Sequence, residues 1–243
     1  MSDFRDLPSS FYESIANLGV EFDDGDVEKL GLFLDLLYET NRLFNLTAIK
    51  DPEEAWTKHV LDSLSLIPQL AKEKAEHVVD VGSGGGFPGM PLAITLPEVT
   101  FTLVEATKKK AIFLAETIEH LGLDNVTVIS DRAENLATKD GGFRNIADAV
   151  IARAVGPLKV LLELTVPFAK VGGAIVAIKG ERAPIEIEEA QDALLALKSE
   201  VESINRTTTG TILVIRKMEA TPNKYPRVAG EPKRFPIGSR GKK

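Results

Sequence analysis

Apolar residues recur at three- and four-residue steps through the first seventy positions, then change at His77 to short continuous runs. The chain therefore reads as a helical region followed by an α/β one. Val27, Leu30, Leu34, Leu37 and Leu43, with Tyr38 beside them, predict a helix over 26–44. Another begins at Asp51: this side chain can cap, Pro52 suits the first helical position, and Glu53 and Glu54 meet the positive end of the helix dipole. It should run through Trp56, His59, Leu61 and Leu64 towards Pro68, before a charged stretch at 72–76. Beyond that, apolar runs at 77–81, 100–104, 125–130, 147–152 and 174–179 alternate with helical patterns at 88–96, 108–121, 157–169 and 184–198. Such alternation is the mark of right-handed parallel βαβ units. The runs at 201–207 and 211–217 are separated only by a turn around Gly210, too short for a crossover, so they must pair antiparallel. The expectation is an α/β fold with a seven-stranded, mostly parallel sheet and an antiparallel last strand. Its divisions are a helical region at 1–72, the α/β domain at 73–219 and a tail at 220–243.

Composition narrows the chemistry. With 243 residues and 44% hydrophobic, the chain can bury a core without cross-links. Cys is absent, which excludes thiolate nucleophiles, zinc ribbons and iron–sulfur sites, and His59, His77 and His120 form no metal-binding helix. The first twenty residues carry Asp3, Arg5, Asp6 and Glu13 and no apolar leader, so the reading is a soluble cytoplasmic protein without a membrane span. The formal charge of -7 hides a basic end: Lys224, Arg227, Lys233, Arg234, Arg240, Lys242 and Lys243 face only Glu231, a net of +6. Pro222, Pro226, Pro232 and Pro236 argue against any helix there, so the tail should be extended and surface-bound. It is either a solubilising end or an arm on a polyanion such as RNA.

The candidate chemistry lies at strand ends. The first strand runs into Asp80-Val81-Gly82-Ser83-Gly84-Gly85-Gly86-Phe87-Pro88-Gly89, a glycine loop that lets the backbone approach a nucleotide-type cofactor. The spacing fits both G-x-G-x-G and the dinucleotide pattern, while Met90 and Pro91 exclude a Walker A loop. The second strand ends at Glu105, where a carboxylate can accept both ribose hydroxyls. Lys108, Lys109 and Lys110 then open a helix against its dipole, which suits polyanion contact as well as a solvated face. Arg132, Ala133 and Glu134 follow the third strand, where they can border an adenine; Arg153 ends the fourth strand and Lys179 the fifth.

These motifs resemble the glucose-inhibited division protein B family, methyltransferases of guanine N7 in bacterial 16S ribosomal RNA. The likeness rests on N-R-L-F-N-L-T-A-I at 41–49, H-V-L-D-S-L at 59–64, D-V-G-S-G-G-G-F-P-G at 80–89, Glu105 with its lysines, R-A-E at 132–134, R-A-V at 153–155 and Y-P-R at 225–227. It implies a class I, Rossmann-like S-adenosylmethionine-dependent methyltransferase, monomeric, acting on a guanosine in the 530 loop of 16S rRNA or the small ribosomal subunit. It also implies Gly82 and Phe87 as cofactor-loop residues, Ala133 and Glu134 as the adenine-side pair and Arg153 near the methyl donor. Glu105 fits the ribose-binding acid of the wider class, with Ala106 and Thr107 beside it. His59, Asp62 and Ser63 match a motif whose role the sequence does not give; His59 and Asp62, three apart on a helix, can touch and pin the helical region to the sheet.

The residues also restrict the acceptor. Cytosine C5 methylation commonly needs a thiolate, and no Cys exists. Exocyclic amines often need an Asn/Asp-Pro-Pro-aromatic tetrad where this chain has Ala152-Arg153-Ala154-Val155. Guanine N7 carries an exposed lone pair and no proton, so it needs no general base, and Arg153, Arg132, Lys179 and the tail are the candidates to position the RNA. A nicotinamide-dependent oxidoreductase would suit the loop and Glu105 but lacks a Tyr-x-x-x-Lys; a non-catalytic ribosome-assembly module is the other alternative.

Overall fold

The computed structural model describes residues 7–239. Asp3, Arg5 and Asp6, and the tail cations Arg240, Lys242 and Lys243, lie outside the described residues. The helical region comprises α1 (Ser9–Leu18), α2 (Asp26–Asn41), a continuous helix made of α3 (Pro52–Ala55), a π-helical stretch (Trp56–Leu61) and α4 (Asp62–Leu64), and then α5 (Ile67–Glu73). The α/β part follows as β1 (His77–Val81), α6 (Gly89–Thr95), β2 (Thr100–Val104), α7 (Lys108–Leu121), β3 (Val126–Ile129), α8 (Ala133–Leu136), β4 (Ala147–Arg153), α9 (Leu158–Thr165) and β5 (Ala169–Lys179). It ends with α10 (Ala183–Glu189), α11 (Gln191–Leu197), β6 (Ser199–Arg206) and β7 (Thr211–Lys217), and the tail adds α12 (Glu231–Arg234).

The seven strands lie in the order β3-β2-β1-β4-β5-β7-β6. Strands β1 to β5 pair in parallel, and β7 runs antiparallel between β5 and β6. The connection from β6 to β7 is thus the hairpin that the short turn demands. Between β1 and β4 the order reverses, and their carboxyl ends open a crevice of the kind in which open α/β sheets bind ligands.

Strand residues alternate between two cores, as the two-residue period requires. Val78, Phe101, Leu103, Ala149 and Ile151 face a core shared with Phe33, Leu34, Leu37, Trp56 and Leu64 of the helical region. Val79, Val81, Val104, Val150 and Ala152 face the other, with Leu158, Leu161 and Leu162 of α9 and Tyr225 of the tail. The N-terminal helices therefore share one apolar core with the sheet.

Several sequence expectations shift. Leu43 is not part of the α2 stripe: the helix stops at Asn41 and Leu43 is 83% exposed, whereas Phe33 is fully buried. The Asp51 cap forms, its carboxylate accepting the Glu54 N–H at 2.9 Å, but the helix changes to π geometry at Trp56. The helix expected at 184–198 breaks at Ala190 into α10 and α11. The tail is surface-bound, but it does hold a helical turn. Pro232 sits at the start of α12, where its missing N–H costs no helical bond. Arg144 donates to the carbonyls of Thr221 and Tyr225, and the Arg227 guanidinium is bound to the fully buried Glu163 of α9. The tail is folded against the domain.

Candidate functional site

A cavity of about 430 Å³ opens at the carboxyl ends of the parallel strands. Its floor is Val81 and Gly82 after β1, and Val104 and Ala106 after β2. Asp131, Arg132, Ala133 and Glu134 form one side, Val155, Val160 and Leu164 the other, and Gly230, Pro232, Lys233 and Arg234 of the tail close it from outside. The volume falls in the range of small-molecule sites. Of the residues expected to bind a cofactor, the fold brings Gly82, Ala106, Ala133 and Glu134 together here, with Arg132 exposed beside them.

The glycine loop divides its labour. Gly82 is exposed at φ +76, its N–H donating to the Val104 carbonyl, and a Cβ there would stand 3.1 Å from Val155 Cγ2. Gly85, Gly86 and Gly89 serve packing. A Cβ on Gly85 would meet Leu37 at 3.1 Å and the Leu46 carbonyl at 3.2 Å, and one on Gly89 would meet Leu103 and the Asp80 carboxylate. Glycine is needed at these positions so that the helical region and α6 can come close to β1.

Glu105 is buried, and its two carboxylate oxygens accept the N–H groups of Gly84 at 2.9 Å and Thr107 at 2.6 Å. It ties the glycine loop to the start of α7 and still has acceptor positions left for hydroxyls. Thr107 contributes that N–H and is not in the cavity lining.

Phe87, expected in the cofactor loop, packs its ring against the helical region. Its ring is buried outside the cavity lining, stacked on His59 with centroids 4.3 Å apart, tilted against Phe33 at 5.1 Å and covered by the Arg153 guanidinium at 5.0 Å. Arg153 is the centre of a clasp. It donates to the Lys58 carbonyl at 2.7 Å, to Asp62 Oδ2 at 3.1 Å and to His59 Nδ1 at 3.0 Å. Asp62 Oδ1 accepts from the Thr209 hydroxyl in the β6–β7 turn. His59 and Asp62 thus converge on Arg153 and not on each other, while Ser63 turns inward to the His59 carbonyl at 2.6 Å.

The clasp fixes the state of His59. Because Nδ1 accepts from Arg153, the ring proton sits on Nε2, which donates to the Thr47 hydroxyl at 2.7 Å. Burial, with the Arg153 charge adding to it, drops the imidazole to about 3. Thr47 is presented by Asn41, whose side-chain oxygen accepts the N–H groups of Leu46 and Thr47 and whose amide donates to the Thr47 carbonyl. The N-terminal motif at 41–49 is therefore the outer support of His59.

Lys179 does not present its charge to the crevice. It pairs with Glu186 at 2.7 Å and donates to the Gly156 carbonyl at 2.8 Å, which holds the loop after β4. Within that loop Ala154 adopts φ +57, a left-handed conformation uncommon for a residue with a Cβ. Arg153 and Lys179 are thus both paired within the fold, and Arg132 alone of the three is exposed.

Sequence reasoning passed over Asp80. It is fully buried in β1; Oδ2 accepts the Gly89 N–H at 3.1 Å, Oδ1 has no partner among the described residues, and burial pushes the carboxyl up to about 7. An acid inside the apolar run His77–Val81 was the available signal. The tail's share of the cavity wall had no such signal, since only folding brings Pro232 beside Gly82.

The family described as rRNA small subunit methyltransferase G matches residues 26–215. The chain belongs to this family. The ribosomal RNA small subunit methyltransferase G of Sorangium cellulosum is 46% identical over 222 residues, covering 90% of this chain and 91% of that one. The protein of the same name from Streptococcus gordonii is 39% identical over 236 residues, 95% of this chain and 99% of its own. Solved structures share the fold at low identity. A putative O-methyltransferase from Klebsiella pneumoniae gives a TM-score of 0.58 at 15% identity, covering 88% of this chain and 98% of that one. The O-methyltransferase of Bacillus cereus in complex with SAH gives 0.56 at 16% identity, over 84% and 96%. The sheet is that of S-adenosylmethionine-dependent methyltransferases. In this chain the helical region is locked to that sheet through Arg153.

Proposed function

We propose that this protein transfers a methyl group from S-adenosylmethionine to N7 of a guanosine in the 530 loop of bacterial 16S rRNA, on the small ribosomal subunit or its precursor. The observation that carries the reading is the donor-sized cavity at the switch point of a chain belonging to an rRNA methyltransferase family. The residues fit the donor. Gly82 gives backbone access, and Ala106 and Ala133 are small enough to border a flat ring; Glu105, buried just outside that lining, keeps acceptor positions suited to ribose hydroxyls. When bound, the donor supplies an electrophilic sulfonium methyl.

The surrounding side chains suit an acceptor that loses no proton. Glu105 and Glu134 are occupied by backbone N–H groups, and His59 is neutral with both nitrogens engaged. Guanine N7 attacks with a lone pair and releases nothing to a base. Catalysis then rests on alignment, the contribution expected of a rigid strand-end site. The clasp of Arg153, Asp62 and His59 holds the helical region and the β6–β7 turn in register beside that site, and exposed Arg132 at its rim can meet an RNA phosphate. Along the chain this reading keeps three segments, a helical region at 1–72, a donor-binding part at 73–219 and a tail at 220–243, the first sharing a core with the second and the third lining its cavity.

The test uses labelled S-adenosylmethionine with 16S rRNA and small subunits from a strain lacking the modification, followed by reduction and aniline cleavage at 7-methylguanosine. One enzyme-dependent cut in the 530 loop is the expected result. Label without a cut would refute the N7 assignment, and a cut elsewhere would refute the loop.

A further inference from the structure

The sequence predicts an extended, surface-bound tail, either a solubilising end or an arm on a polyanion; the folded tail also walls the cavity, and the manner of its attachment bears on the reaction. We propose that Gly230–Arg234 is the outer wall of the donor site, latched by Glu134, and that Lys233 and Arg234 together with Arg132 make a cationic rim for the RNA backbone. This inference rests on the donor site and RNA substrate proposed above.

Four observations carry it. The first is position: Gly230, Pro232, Lys233 and Arg234 line the same cavity as Gly82 and Ala133. Second is the latch, the Gly230 N–H donating to Glu134 Oε1 at 2.7 Å. Glu134 is buried, so this bond satisfies a carboxylate oxygen that would otherwise be stranded at the cavity edge. By resemblance Glu134 belongs to the adenine-side pair; its carboxylate also fastens the wall, and Ala133 lines the cavity next to it.

The third observation is the anchoring upstream. Arg227 is gripped by Glu163 through its backbone N–H at 2.9 Å and its guanidinium at 2.6 Å, and Tyr225 is buried against α9 and its neighbours. The wall therefore begins from a fixed point, and only the short exposed link Val228–Ala229 separates anchor from latch. The fourth is charge. Pro232 is buried, while Lys233 and Arg234 on the same helical turn are exposed. One turn thus carries a buried apolar residue and two exposed cations at the cavity edge, beside exposed Arg132. A polyanion across that rim would press the wall onto the donor site, because the two contacts lie on adjacent residues.

Two variants test the proposal. A chain ending at Ala229 keeps the Arg144 and Arg227 anchors and loses the wall. Its dissociation constant for S-adenosylhomocysteine, measured by calorimetry, should rise about tenfold or more while unfolding stays cooperative. A constant within about twofold of the full chain overturns the wall. The full chain carrying Lys233→Glu and Arg234→Glu should need more rRNA for half-maximal methylation, and its log–log salt slope for rRNA binding should flatten by about two, one per lost phosphate contact. An unchanged slope overturns the rim. Failure of the full wild-type chain to bind S-adenosylhomocysteine at all would count against the proposed function and is thereby distinguished from failure of this inference.

Discussion

At the scale of single residues, two buried titratable groups set opposite pH dependences. His59 is depressed to about 3, so between about pH 3 and 6.5 the unfolded chain binds a proton that the folded one refuses. Its contribution to stability is present above pH 6.5 and is lost as the pH falls. Asp80 is raised to about 7, so the folded chain holds a proton that the unfolded one releases above roughly pH 4. Its contribution is present below pH 4 and is lost as the pH rises through 7. Between about pH 4 and 6.5 the two slopes oppose each other. Asp80→Asn keeps an acceptor for the Gly89 N–H and removes one slope. Stability of the variant relative to wild type should then rise with pH across 4 to 6.5 by up to ~1.4 kcal/mol per unit, read from urea unfolding at stepped pH. Parallel profiles would show that Asp80 does not carry the proton.

At the scale of elements, the clasp joins pieces that the chain keeps far apart. Lys58, His59 and Asp62 come from the helix around the π-helical stretch, Arg153 from the end of β4 and Thr209 from the β6–β7 turn. A π-helical stretch is unusual and tends to mark functional positions, and here it lies where the helix meets Arg153 and Phe87. Asp62→Ala should cost about 2–4 kcal/mol, since it leaves a mostly buried guanidinium without its carboxylate. Asp62→Ala combined with Arg153→Ala should cost clearly less than the two singles added together. Additivity within about 0.5 kcal/mol in chemical denaturation would mean that the clasp holds no coupling energy. Much of the element plan was legible beforehand, because periods of 2 and 3.6 mark strands and amphipathic helices directly. The clasp was not, because only the fold brings residues 62, 153 and 209 together. The helical turn in the tail was missed for a different reason: four prolines argue against a helix interior, but Pro232 stands at a first turn, where the objection lapses.

At the scale of the molecule, a sheet common to many methyltransferases acquires its particular use from what is attached at either side. The helical region shares the core on one face and meets the crevice through Phe87, His59 and Arg153. The tail packs on the other face and closes the cavity through Pro232. Strand ends, glycine loop and Glu105 were readable as a candidate cofactor site because they follow one another along the sequence. Which loop glycine lines the cavity was not legible, since Gly85, Gly86 and Gly89 serve packing that only the fold explains. Among the described residues no helix is long and apolar enough to cross a membrane.

If the methyl donor binds in the cavity above β1, Gly82 is the position that tests it. Calorimetric titration with S-adenosylhomocysteine should show a single saturable site in the wild type. Gly82→Ala should weaken it by about tenfold and Gly82→Val by about a hundredfold or more, with near-native circular dichroism in both. Wild-type affinity in a folded Gly82→Val would contradict the account and move the donor elsewhere.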